Sequence, residues 1–255
     1  MSGKSPAGEF PASGAGLPPL PRPRLAARLT GRFFALLLRL LGATWRRETK
    51  ELEALDGMLA RGERVLAVFW HGGYLPLFFL FAGRSARILS SRSFRGEVIA
   101  EICRRFGYDG GSIPKPAGGT KRDAVRRALD GCRLAALAVD GPLGPFHVVR
   151  PGTVRLAADL ALSVLPVAAA ADRAWVLAGR WDRMEVPRPF ARLSLVCGEP
   201  VHIPAGLAEE ELAGWCAHLR ESLEKAERQA RAMTGDAGFY CGRTSERAGR
   251  KAGRW

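Results

Sequence analysis

Cysteine is scarce and shows no pairing pattern. The five, at positions 103, 132, 197, 216 and 241, are odd in number, widely spaced and form no Cys-x-x-Cys pair. This usage points to a reducing compartment and away from a disulfide scaffold. Four separated histidines add no zinc-ligand spacing, so no metal site is expected. Acidic residues are also in short supply, 25 against 39 Lys plus Arg, which leaves a net charge of +14 carried overwhelmingly by arginine. Such an excess favours an anionic partner: nucleic acid, an anionic membrane surface or a phosphorylated small molecule. Long apolar runs are missing as well. The stretch FFALLLRLLGATW, Phe33 to Trp45, is broken by Arg39 and falls short of the roughly 18 continuous residues that a spanning helix needs. The chain begins polar and proline-rich, so no signal peptide is read there.

What remains is a globular composition. The chain of 255 residues is long enough for one main domain with a sizeable core. Residues 1–21, rich in Gly, Pro, Ser and Ala, read as a disordered leader, and residues 236–255 as a basic flexible tail. Between them lie a helical segment, 22–47, and a folded domain, 48–235. In the helical segment Arg24, Arg28 and Arg32 recur among large apolar residues, followed by Arg39, Trp45, Arg46 and Arg47. Two readings stand. Either it is an interfacial helix drawn to acidic lipids, or it is an amphipathic helix packed on its own domain.

In the domain, apolar runs alternate with helix-length segments. Strands are expected at Arg64 to Trp70, Ala86 to Ser91, Arg133 to Val139 and Val164 to Ala171. Helices are expected at Tyr74 to Phe81, Gly96 to Phe106, Gly119 to Leu129 and Thr153 to Leu162, with a long one from Ala208 to Ala232. Two later runs, Ala174 to Arg180 and Ala191 to Gly198, read as edge strands paired in a hairpin. The alternation predicts an α/β fold with a mixed, largely parallel central sheet flanked by helices.

In such sheets reactive groups gather beyond the carboxyl ends of the strands. Three polar clusters fall there. His71 ends the run AVFWH and precedes Gly72 and Gly73, which let a backbone or a substrate approach closely. It is either a general base toward a hydroxyl or a partly buried histidine bonded to backbone. The second cluster, SSRSFRGE, holds Ser91, Arg92, Arg95 and Glu97 at a strand-to-helix junction. Arginine forks and a helix start suit a phosphate, whereas a first-turn glutamate equally suits a capped, solvated turn. The third, Asp140-Gly141-Pro142-Leu143-Gly144-Pro145, is a rigid turn whose Asp140 can orient His71, bind a substrate hydroxyl or cap a turn. Arg150, before Pro151 and a helix start, is a further anion contact.

The stretch GGSIPKPAGGTKRDAVRR, with Gly110, Gly111, Gly118, Gly119, Lys115, Lys121 and Arg122, lacks the GxxxxGK[ST] order, so nucleotide hydrolysis is not expected. It reads as a glycine-rich loop presenting anions to a helix start, with Lys121 beside it.

Taken in order, FWHGGYLPLFF, SSRSFRGEVIAEICRRFGYDGGS and AVDGPLGPFHVVRPGTVRLAADLALSVLPVAAA resemble the bacterial branch of the lysophospholipid acyltransferase superfamily catalogued as domain of unknown function 374. The resemblance spans residues 40 to 205. It implies a glycerol-3-phosphate acyltransferase-like fold, peripheral to the cytoplasmic face of a bacterial inner membrane, acting on glycerolipids or lipid A precursors. It further implies that His71 deprotonates an acceptor hydroxyl, which attacks the thioester of acyl-coenzyme A or acyl carrier protein. No permanently bound cofactor is implied. Asp140 and Gly141 match the loop that receives the acceptor phosphate, and Val164 to Val167 match a late proline-containing strand.

The chain also departs from that pattern. Pro76 stands five positions after His71, where the wider superfamily has an acid, so the partner of His71 is Asp140 or Glu97, or is absent. Arg95-Gly96-Glu97 replaces Asp-Gly-Glu, Gly110 to Ile113 replaces Arg-Gly-Ser-Ser, and Leu143 replaces an arginine. Ser91, Arg92, Arg95, Lys121, Gly141 and Arg150 are therefore the candidate phosphate contacts. Leu75, Leu77, Phe78 and Phe79 are candidates for an acyl pocket, or plain core. The expected function is acyl transfer, the alternative being a weakly active or inactive lipid-binding protein on the same fold. Specific nucleic-acid binding is not expected, because no recognition element accompanies the charge.

Overall fold

The computed structural model describes residues 17–47, 52–115 and 119–235. The expectations placed on Gly118, on Cys241 and on the basic tail lie outside those residues, as does most of the leader. In chain order the elements are α1 (Leu25–Ala43), β1 (Arg46–Arg47), α2 (Leu52–Ala60), β2 (Val65–Phe69), a 3-10 turn (His71–Gly73), α3 (Leu77–Leu80), β3 (Arg87–Ser90), α4 (Phe94–Arg105) and β4 (Asp109–Ser112). They continue with α5 (Lys121–Leu129), β5 (Leu134–Ala138), α6 (Pro151–Asp159), β6 (Ser163–Ala171), β7 (Ala174–Val176), β8 (Glu185–Pro187), β9 (Arg192–Cys197), β10 (Val201–His202) and α7 (Leu212–Thr234).

The main sheet runs β1-β9-β6-β2-β5-β3-β4, with β10 also paired to β6. Strands β6, β2, β5, β3 and β4 pair in parallel, and β9 and β10 join β6 antiparallel. The fold is thus a mixed, largely parallel sheet with helices on both faces. Short continuous runs such as VLAVF and LAALA are what a strand covered on both sides requires. Alternation along β2 sends Val65 and Ala67 into one core, with α2, α3 and α4, and Leu66 and Val68 into the other, with α6 and α7.

Helix α1 packs against α4 the opposite way round from a usual amphipathic helix. Its buried residues are the small ones, Ala27, Gly31, Ala35 and Gly42. A side chain at Gly31 would come within 2.7 Å of Glu101, and one at Gly42 would strike the Phe79 ring. The large residues face away: Leu25 is 67 % exposed, Phe33 58 % and Leu40 61 %, with Leu29 and Leu36 between them.

Four expectations are corrected. The predicted hairpin between residues 174–180 and 191–198 does not form: β7 pairs with β8 in a separate ribbon, and β9 lies on β6, where Leu193 and Leu195 reach the core. The expected helix from Tyr74 shrinks to one turn, because the chain leaves β2 through the 3-10 turn and Pro76, with no N–H to give to residue 72, can only start a helix there. Gly110 and Gly111 are not a loop but the middle of edge strand β4. There a side chain at 110 would meet Cys103 at 2.5 Å, and one at 111 would strike Leu20. Residues 17–21, assigned to the leader, are packed across that edge: Leu20 is buried against Gly111, while Arg87 and Arg104 donate to the carbonyls of Pro18 and Pro21.

Candidate active site

Parallel pairing of β2 with β5 brings Phe69 level with Ala138, so the residues that follow both strands leave the sheet side by side. Two residues beyond each lie His71 and Asp140. The carboxylate of Asp140 is fully buried, at 0 % exposure, and accepts the backbone N–H of His71 at 3.2 Å (Oδ1) and 3.3 Å (Oδ2). It also meets His71 Nδ1 at 3.0 Å. A carboxylate only accepts, so this contact puts the ring proton on Nδ1 and leaves the lone pair on Nε2. The His71 side chain stays 26 % exposed, so the ring is reachable from outside.

Local backbone chemistry sets this geometry. Gly141, at φ +68°, turns the chain immediately after Asp140. Gly72 lies so close to the Asp182 carbonyl oxygen that a side chain there would collide with it. Pro151 at the first position of α6 ends the loop, and Arg150, just before it, donates to the Gly144 carbonyl.

The tip of the β7–β8 ribbon supplies a wall that sequence reasoning missed. Trp181 lies 5.4 Å from the His71 ring, centroid to centroid, and rests on Gly144, where a side chain would come within 2.6 Å of the indole. Asp182 beside it is buried and held by Arg180 through bonds of 2.8 and 2.6 Å. Burial pushes the Asp182 carboxyl up, but the Arg180 bonds outweigh it and hold the group below the ordinary carboxylate value. Tyr74 closes the other side, 6.4 Å from His71, its phenol pushed up to about 12 by burial and therefore neutral. The run Gly179-Arg180-Trp181-Asp182-Arg183, a tryptophan among charges at a turn, was the one sequence signal for this wall.

The other candidates divide. Ser91, Arg92 and Arg95 follow β3, the neighbour of β5, at the same end of the parallel sheet as His71 and Asp140. Ser93 caps α4 by accepting from the Gly96 N–H, Ser91 Oγ lies 2.8 Å from Ser93 Oγ, and Gly96 sits against the Ser91 carbonyl, where a side chain would not fit. Arg92 and Arg95 are exposed and without an ion-pair partner among the described residues. Lys121 opens α5, after β4, beside a Thr120–Asp123 capping box.

Glu97 is not brought to His71. Its carboxylate accepts the backbone N–H of Arg24 at 2.9 Å and the guanidinium at 3.0 Å, which ties α1 to α4 and lowers its pKa. The role of His71 partner considered for it therefore passes to Asp140. Phe78 packs on Phe106 and Tyr108 in the core, and Phe79 on Trp45, Phe106 and Gly42, so that its ring fills the space under α1. Leu75 is half-buried beside them. The cleft flanking the His71 turn is lined instead by Phe69, Gly72, Gly73, Ala168 and Ala169, with Asp182 and Arg183 from the ribbon.

A buried carboxylate bonded to an imidazole whose Nε2 has no partner among the described residues is an arrangement that can act as a general base. Among the described residues no Ser, Thr or Cys is bonded to His71. No group of three or more metal-ligating side chains occurs among the described residues.

No family model matches the chain. It is 25 % identical over 166 residues to the uncharacterized protein RP090 of Rickettsia prowazekii, covering 63 % of this chain and 75 % of that one. Among solved structures it is similar to the 1-acyl-sn-glycerophosphate acyltransferase PlsC of Thermotoga maritima, at 16 % identity over 81 % of this chain and 80 % of that one. The TM-score is 0.48, a likeness too slight to say anything of chemistry.

Proposed function

We propose that the chain is an acyltransferase that moves a fatty acyl group from an acyl thioester, of coenzyme A or a carrier protein, to a hydroxyl of a phosphorylated lipid held in a membrane surface. The His71–Asp140 dyad, with Nε2 open and no nucleophile of the protein's own, carries this reading. His71 Nε2 takes the proton of the acceptor hydroxyl as its oxygen attacks the thioester carbonyl. The tetrahedral adduct collapses with loss of the C–S bond, and the imidazolium returns the proton to the leaving thiolate. Asp140 stabilises the imidazolium and holds the ring in place. Arg92, Arg95, Lys121 and Arg150 supply cations for the acceptor phosphate, where bidentate arginine is the better fit.

The outward apolar residues of α1 support a peripheral site of action. No helix among the described residues is long and apolar enough to cross a membrane. A ridge of Leu25, Leu29, Phe33, Leu36 and Leu40 flanked by Arg24, Arg28, Arg32 and Arg39 suits the boundary of an anionic bilayer. The cytoplasmic face of a bacterial inner membrane is the proposed location.

The test is product identity. Incubation with acyl-coenzyme A or acyl carrier protein and lysophospholipid vesicles, followed by mass spectrometry, should yield the acylated lipid. Free fatty acid as the only product would make the chain a hydrolase. Vesicle binding without any turnover would favour a lipid-binding protein, the outcome to which Pro76 in place of an acid inclines.

A further inference from the structure

Residues 172–192 carry five arginines, at 173, 180, 183, 188 and 192, against three acids, Asp172, Asp182 and Glu185. All three acids are occupied within the fold. Asp172 accepts from Arg192, Asp182 from Arg180, and Glu185 from Arg231 of α7. Among the described residues Arg183 and Arg188 have no carboxylate partner; their guanidinium groups lie over the Phe146 and Trp175 rings at 5.0 and 5.7 Å. The charge this segment turns to solvent is therefore positive.

The same segment exposes apolar residues in succession. Trp175 is 47 % exposed, and Val176 and Leu177 are open as well. Successive strand residues point to opposite faces, so Trp175 and Val176 expose β7 on both, while Glu185 and Pro187 of β8 are held against the body. At its root Phe190 is exposed, and it donates its N–H to Thr44 at the end of α1, while Trp45 donates its indole N–H to the Arg188 carbonyl. At its tip Trp181 faces His71. The ribbon thus joins the outward-facing helix to the dyad.

We propose that the β7–β8 ribbon is a second membrane-docking element, with Trp175, Val176 and Leu177 seated in an anionic lipid surface and Arg183 and Arg188 in its headgroups. Tryptophan and arginine at an interface, with no free carboxylate among them, match that partner. A neutral or acidic protein face would leave the arginines or the apolar residues unserved. The inference deepens the acyl-transfer reading and rests on it only for purpose: a surface that seats the ribbon also holds the acceptor lipid beside Trp181.

Hydrogen exchange of the full chain, with and without vesicles of phosphatidylglycerol and phosphatidylcholine, tests it. Amides 174–186 should slow on the anionic vesicles, and the triple change Trp175→Ser, Val176→Ser, Leu177→Ser should weaken partitioning by about tenfold or more, since binding scales with buried apolar area. Unchanged exchange in the ribbon while α1 gains protection would overturn the proposal and leave acyl transfer standing. The same slowing on pure phosphatidylcholine, or on raising protein concentration without lipid, would also overturn it, the latter by assigning the surface to a second copy of the chain. Ribbon protection without acyl transfer would retain the proposal and discard the enzymatic reading.

Discussion

At the scale of single residues, the site depends on close approaches more than on charge. Gly72 is required by the Asp182 carbonyl, so Gly72→Ala must push the His71 turn and the ribbon tip apart. Its expected cost is about 1–3 kcal/mol, the range for overpacking, measured by urea unfolding, together with a loss of turnover. Asp182 gives a prediction in pH. Its folded pKa lies below the unfolded one, so its contribution is present above the ordinary carboxylate value and is lost as pH falls through the depressed one. Wild type should exceed Asp182→Asn by about 1 kcal/mol near pH 7, discounted for the half-exposed Arg180, and the gap should begin to narrow below about pH 4 in thermal melts and close only beneath the depressed value. His71 and Asp140 were legible in the sequence because each follows a strand-like run directly. Trp181 and Asp182 were not, since nothing local ties residue 181 to residue 71.

Elements show the same division. The central strands β2, β5 and β6 could be read because continuous apolar runs between helices have few other solutions. Strand β4 could not: glycine is a poor strand former, and Gly110 and Gly111 occur there because α4 and Leu20 press on the backbone. The partner of β9 was equally hidden, as strand pairing is settled by which neighbour its inward leucines find. Helix α1 packs on its own domain through its small residues, as one of the two sequence readings has it, and turns its large residues outward. Phe33→Ser with Leu36→Ser and Leu40→Ser should therefore weaken cosedimentation with anionic vesicles by about tenfold or more and leave the melting temperature nearly unchanged. A large fall in melting temperature would mean that the ridge is buried against the protein.

For the whole molecule, the parallel crossovers gather at one edge what the chain scatters: the dyad after β2 and β5, the arginines after β3 and Lys121 after β4. The edge itself was predictable from the strand-helix alternation; the ribbon folded over it was not. Release of free thiol from acyl-coenzyme A and acyl carrier protein, in the presence of lysophospholipid vesicles, tests the dyad directly. Turnover by the wild type should fall by about 10²–10⁴-fold in His71→Ala and by a comparable factor in Asp140→Asn, the usual contribution of an oriented general base. Turnover that survives His71→Ala would contradict a role for the dyad in catalysis.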